Sequence, residues 1–244
     1  MKSQLSTAGL PRLILVFICL VVILYGLHKA LLISMFPASR RKKIMVTTII
    51  IIICWATLLA ILSFNGFFAD FSKLPPRPAL ALFVPLPFAL IFAFSKTGKQ
   101  ILLHVAPHWL ALIQAFRIFV ELLLLAGFIK NLLPVQMTFE GRNFDVLTGL
   151  LALPAGYLIS KHKMSSATIL IFNVTGILLL LNILIIAVLS MPTPFRYFMN
   201  EPSNTLIAQF PFIFLPGILV PLAYTFHIFS LRQWYLLKHK NESL

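Results

Sequence analysis

Apolar and polar stretches alternate along this chain in long blocks. Seven apolar runs fall at about 11–36, 44–68, 79–95, 108–134, 146–160, 166–190 and 205–230, separated by short polar connections. A run of roughly 18 or more residues with few charges is long enough to cross the ~30 Å hydrocarbon layer as a helix. The isoleucine block Ile49 to Ile53 would favour a strand in water. In lipid, a helix satisfies its own backbone hydrogen bonds, and that requirement dominates. The pattern therefore predicts an all-α, polytopic membrane helix bundle. It has about seven transmembrane helices in one domain, 1–244, with no internal repeat.

The runs are not uniform. Pro85 and Pro87 distort the third. Lys96 to Ala106 is polar and then apolar, which suits a segment lying along the membrane surface. The fifth run has only fifteen residues, about 22 Å at helical rise. It also contains Gly149, Pro154 and Gly156. The sixth carries Asn173, Thr175 and Asn182, and the seventh is broken by Pro211, Pro216 and Pro221. Phe195, Tyr197 and Phe198 between them suit a membrane interface.

Composition sharpens this picture. Of 244 residues 60% are hydrophobic and 11% charged, with a mean hydropathy of +0.98. That is well below the roughly 25% charged residues of soluble domains. There are 20 Lys and Arg against 6 Asp and Glu, a formal charge of +14. The basic residues sit mainly in short connections, so the excess points to membrane orientation and anionic headgroups as partners rather than to nucleic acid. One set of loops holds Arg40, Arg41, Lys42, Lys43, Lys96, Lys99, Lys161, Lys163, Arg232, Lys238 and Lys240. The alternate set holds Lys2, Arg12, Lys73, Arg77, Lys130, Arg142 and Arg196, with most of the acids. The positive-inside rule then places the amino terminus outside and the carboxy terminus in the cytoplasm. No small-residue cleavage pattern follows the first run, so it is expected to stay as a helix. Cys19 and Cys54 read as buried thiols at different depths.

Three groups of residues carry potential chemistry. Gln114, Arg117 and Glu121 share one stripe of the fourth run, with Arg117 and Glu121 at i, i+4 spacing. Charges at bilayer depth are costly unless paired and turned from lipid, and by default they mark function. The pair could bind a solute or exchange a proton, or could fix helix packing with Asn173 as a partner. Glu140, Arg142, Asn143 and Asp145, with Gly141, precede the short fifth run. They could line an external mouth before an interrupted helix. Alternatively Gly141 makes a turn and Asp145 caps the helix. Third, the histidines, all expected near the cytoplasmic side, include His28, His108 and His227 as candidate haem or metal ligands. No convincing ligand set forms, and no cofactor or metal is assigned.

Several chemistries are excluded. No H-E-x-x-H, G-x-S-x-G or G-K-[ST] motif occurs. The last run has no lysine for a retinal Schiff base, and no run contains an Asp for ceramidase-like hydrolysis.

The helix string QAFRIFVE followed by MTFEGRNFD resembles a family of uncharacterised bacterial multi-pass membrane proteins. The resemblance covers about 50 residues and rests on Gln114, Arg117, Glu121, Glu140, Gly141, Arg142, Asn143 and Asp145. It implies a bacterial inner-membrane location and no activity. Three functions stay open: handling a small polar or anionic solute at the buried Arg/Glu site, an intramembrane enzyme acting on lipid or a lipid-linked substrate, or a structural subunit of a membrane complex.

Overall fold

The computed structural model describes residues 2–242, with side chains described from 9 to 239. Lys2 and Lys240 therefore carry backbone but no described side chain. The described residues form helices and connections, with no strand. Ten α-helices follow one another: α1 Lys2–Ile33, α2 Ala38–Phe64, α3 Arg77–Phe83, α4 Pro85–Phe94, α5 Lys96–His104, α6 Pro107–Leu112, α7 Phe116–Ile129, α8 Val146–Ser160, α9 Ser166–Leu189 and α10 Val220–Glu242. A 3-10 turn, Ile113–Ala115, joins α6 to α7, and a π-helical turn, Leu215–Leu219, leads into α10. Six stretches are long and apolar enough to cross a membrane: 9–33, 38–64, 77–94, 107–129, 166–189 and 215–239. The fifth predicted span is the seventh apolar helix, α8, and it is shorter.

The helix limits follow from local chemistry. α2 starts at Ala38, ahead of the expected 44, and takes in the Arg40–Lys43 cluster. Long basic side chains can snorkel from a helix end. It ends at Phe64 because Asn65 and Gly66 follow, with Gly66 at φ 70°, a left-handed turn that favours glycine. Ser95 caps α5, its Oγ accepting from Gly98 N at 2.9 Å. The last long helix differs most from expectation. Residues 205–214 form turns and a short 3-10 segment, Leu206–Ala208, so the span starts ten residues late. Pro211 and Pro216 lack amide donors, and Pro216 is tolerated in the first turn of the helical stretch.

Loops alternate between two ends of the bundle. At one, Arg40 Nη2 donates to Thr97 Oγ1 at 3.2 Å, and the Arg232 guanidinium lies 4.8 Å from the Phe94 ring. At the other, Arg77 pairs with Asp70 at 3.1 Å, Arg196 pairs with Glu201 at 2.8 Å, and Gln136 Nε2 donates to Ser190 Oγ at 3.0 Å. The first end is strongly basic. Helix α2 is the most outward-facing, with Ile50, Ile51 and Ile53 exposed, an apolar surface suited to lipid. Cys54 is exposed there, against the expectation of a buried thiol, while Cys19 is buried.

Helix α8 is held against α6 and α7 by small residues. Gly149, Ala152, Ala155 and Gly156 are all buried. A Cβ at Gly156 would come within 2.3 Å of Leu112 Cγ, and one at Gly149 within 2.9 Å of the Ile118 amide nitrogen. Such small faces let helix backbones approach closely.

Candidate functional site

Three helices bring polar groups to one level. Arg117 lies ten residues after Pro107 and twelve before Ile129 in its span. His227 is twelve residues from either end of 215–239, and Gly176 is ten residues into 166–189. These positions are at mid-depth of the bundle. The start of α8 reaches the same level, since Gly149 packs on Ile118 and Arg117. The connection 130–145 must therefore dip into the bundle. Accordingly Leu133, Gln136, Met137, Thr138 and Asn143 on it are buried.

Arg117, 1% exposed, is the hub. Its Nε donates to Asp145 Oδ2 at 2.7 Å and its Nη2 to Asp145 Oδ1, a two-pronged ion pair. Nη2 also donates to the Gly176 carbonyl at 3.3 Å, and Nη1 to His227 Nε2 at 3.0 Å. Guanidinium only donates, so His227 Nε2 must accept, and its Nδ1 carries the proton. That proton goes to Asn173 Oδ1 at 3.0 Å. Asn173 Nδ2 in turn donates to Ser230 Oγ at 2.9 Å and to Ile169 O at 2.8 Å. On the other side of the hub, Asp145 N donates to Asn143 Oδ1 at 3.0 Å. Asn143 Nδ2 donates to Glu121 Oε2 at 2.6 Å and to Met137 O at 3.1 Å. One connected network thus runs from Glu121 to Ser230.

The expected Arg117–Glu121 ion pair does not form: no guanidinium nitrogen lies within 4.0 Å of a Glu121 carboxylate oxygen. Arginine four residues before glutamate is the weaker orientation along a helix, and Asp145 offers both carboxylate oxygens from the descending loop. Glu121 is 1% exposed and lines a cavity of about 70 Å³ together with Asp145, Leu124, Met137, Leu180 and Pro216. Gln114 is buried but stands apart. Its Nε2 donates to Ala223 O at 3.0 Å, and its Oε1 has no partner among the described residues, as is true of Thr148 Oγ1.

The loop candidates divide. Asn143 and Asp145 enter the network, whereas Glu140 and Arg142 are exposed. The Arg142 guanidinium lies 5.5 Å from the Phe198 ring, and its carbonyl accepts from Asn182 Nδ2 at 2.8 Å. Asp145 precedes α8 but makes no side-chain cap, because Arg117 takes its carboxylate. Gly141 does turn the chain, donating to Thr138 O at 3.0 Å.

His227 is not at the bundle end where the histidines were expected, and both its ring nitrogens are engaged, so it is not free to ligate a metal. His28 is exposed, and His108 lines a cleft at the basic end. No group of three potential ligands converges among the described residues. Sequence reasoning missed a second buried arginine: Arg12 lies within α1, donates to Leu123 O at 2.7 Å and stacks 4.4 Å from the Phe212 ring. Its position beside Pro11 reads as a flank until the helix is seen to begin nine residues earlier than the apolar run.

An apolar helical bundle with a buried arginine, carboxylate and histidine centre defines the class as a membrane-type helical protein. The chain belongs to the family described as domain of unknown function (DUF8737), whose model matches residues 78–235. Neither the curated proteins nor the solved structures gave a match. The matched stretch contains every residue of the Glu121–Ser230 network and leaves α1 and α2 outside it.

Proposed function

We infer that this protein moves a small polar solute across a membrane in exchange for, or together with, a proton or cation held at Glu121. The observation that carries this reading is a charge imbalance facing a cavity. Two carboxyl groups, Glu121 and Asp145, lie in one network with a single guanidinium, which pairs with Asp145 and not with Glu121, and His227 is a neutral acceptor toward it. Uncompensated charge at mid-bilayer is expensive. A proton or small cation on Glu121, reached through the adjoining cavity, balances the site. The positive end of the α8 dipole at Asp145 supports the same carboxylates.

Four of the five Arg117 donors are committed to Asp145, His227 and Gly176, which weighs against an anion binding there. Asn143 and Asp145 tether the descending loop to Glu121 and Arg117. Loading or unloading Glu121 would change the hold of Asn143 and so the seating of that loop, giving the outer half of the path a gate. Glu140 and Arg142 would stand at its external mouth.

Orientation belongs to the same proposal: the basic end cytoplasmic, the amino terminus outside, α8 and its descending loop together making one crossing. The likeness of QAFRIFVE and MTFEGRNFD to bacterial multi-pass proteins supports a bacterial inner membrane. Purely structural service is the second reading, favoured by the four hydrogen bonds that Arg117 makes within the protein. An intramembrane enzyme finds less support, since no nucleophile and base meet at the site.

Proteoliposomes with a trapped pH indicator separate the two. The transport reading expects proton flux, driven by a pH gradient or added solute, that Glu121→Gln reduces at least tenfold while the variant stays folded. Equal flux in wild type and Glu121→Gln would leave the structural reading.

A further inference from the structure

A second, larger cavity lies away from Arg117 and from the cavity that Glu121 lines. It is a cleft of about 800 Å³ at the basic end, between the start of α6, the end of α8, the start of α9 and the last turns of α10. Its charged and titratable lining is Lys238, His108 and His162, and among the described residues no carboxylate lines it. Ser160, Ser166 and Ser230 add hydroxyls. A set made of an ammonium, two imidazoles and hydroxyls offers several donors and one fixed positive charge to a single guest. That is the chemistry of oxyanion binding, and a phosphate group with three terminal oxygens uses such a set most fully.

The surroundings reinforce this. Lys161 and Lys163 flank His162 in the chain, so the field at the cleft is positive. Lys238 Nζ lies 5.7 Å from the Trp234 ring, and Trp234 Nε1 donates to Ser166 Oγ, which ties α10 to the start of α9 across the cleft. Gln233, 2% exposed, holds α5 by donating to Leu102 O and Val105 O, so the wall beside Lys238 is built rather than loose. Ser230 belongs both to the cleft and to the network that ends at Glu121.

We propose that this cleft binds a phosphate-bearing ligand, with Lys238 as its charge partner and His108 and His162 as donors. The guest is either a water-soluble phosphate or the headgroup of an anionic phospholipid, since both present the same group at this end of the bundle. The proposal stands on the cleft alone, so it survives if no proton flux is found.

The test uses the full chain in nanodiscs. In phosphatidylcholine discs, inorganic phosphate and glycerol phosphate are titrated against the unfolding midpoint. In discs of mixed phosphatidylcholine and phosphatidylglycerol, retained lipid is identified by native mass spectrometry. A saturable midpoint rise in the first experiment, at least tenfold weaker in Lys238→Ala and restored in Lys238→Arg, identifies a soluble phosphate. Selective retention of phosphatidylglycerol, lost in Lys238→Ala and restored in Lys238→Arg, identifies the headgroup. The His108→Ala, His162→Ala double variant checks the imidazoles and leaves Lys238 in place. If neither ligand binds, or if Lys238→Ala and the double histidine variant bind as the wild type does, the proposal is overturned.

Discussion

Arg117 answers the problem of a buried guanidinium by gathering partners from three other segments: Asp145 from the descending loop, His227 from α10 and the Gly176 carbonyl from α9. The residue opposite the imidazole must be glycine, because a Cβ at position 176 would come within 2.5 Å of His227 Nε2 and Cε1. Gly176→Ala therefore displaces the ring. We expect a loss of about 1–3 kcal/mol, typical of overpacking, read from unfolding in detergent. A stability equal to wild type would show that the ring has room to yield. Arg117→Lys is expected to be no milder than Arg117→Met, since an ammonium cannot reproduce the planar fork on Asp145 while also reaching His227.

Between elements, the consequence is that α8 owes its position to a side chain on another helix. Asp145→Asn breaks the two-pronged pair, and Asn143 and the first turn of α8 lose their anchor. Faster amide hydrogen exchange is expected over 143–150 and unchanged exchange over α9. Uniform acceleration of all helices would mean that the pair stabilises the whole bundle instead. At the acidic-loop end, Arg196 donates to Glu201 and Ser203 N donates to it as well. These bonds hold the Glu201 carboxyl below its ordinary 4.5. A lowered value means the loop is fully held above pH 4.5 and released as pH falls through the lower bound value. Exchange at Ser203 should rise in acid, and Glu201→Gln should abolish that acid step.

These same elements show what the chain discloses by itself. The 146–160 helix was readable to the residue, because Asp145 and Lys161 bound a clean apolar stretch. The burial of Gln114, Arg117 and Glu121 was readable from polar groups at depth, whereas that of Asn143 and Asp145, expected in an external loop, was not. Nor was the pairing, because helical spacing favours Glu121 for Arg117 while the actual partner arrives 28 positions later by a turn back into the bundle. The central place of His227 was hidden because the apolar run ends at 230, whereas the span continues to 239. Glu140 and Arg142 were grouped with Asn143 and Asp145 by proximity, but the turn at Gly141 sends the first pair outward and the second inward.

For the molecule as a whole, the two ends differ in charge while the middle is a single polar network enclosed by apolar helices. That asymmetry predicts orientation. A reporter fused after Leu244 should be active in the cytoplasm and inactive outside, and one preceding Met1 the reverse. Opposite activities would invert the path, placing the phosphate cleft outside and the Glu121 gate toward the cytoplasm.

The account depends most on who neutralises Arg117. Equilibrium unfolding in mixed micelles of Arg117→Met, Asp145→Asn, Glu121→Gln and the two double variants containing Arg117→Met measures this as coupling energies. The Arg117–Asp145 cycle should give about 0.5–3 kcal/mol of coupling, the range for directly paired residues, and the Arg117–Glu121 cycle distinctly less. Strong coupling to Glu121 with additivity at Asp145 would contradict the arrangement described above.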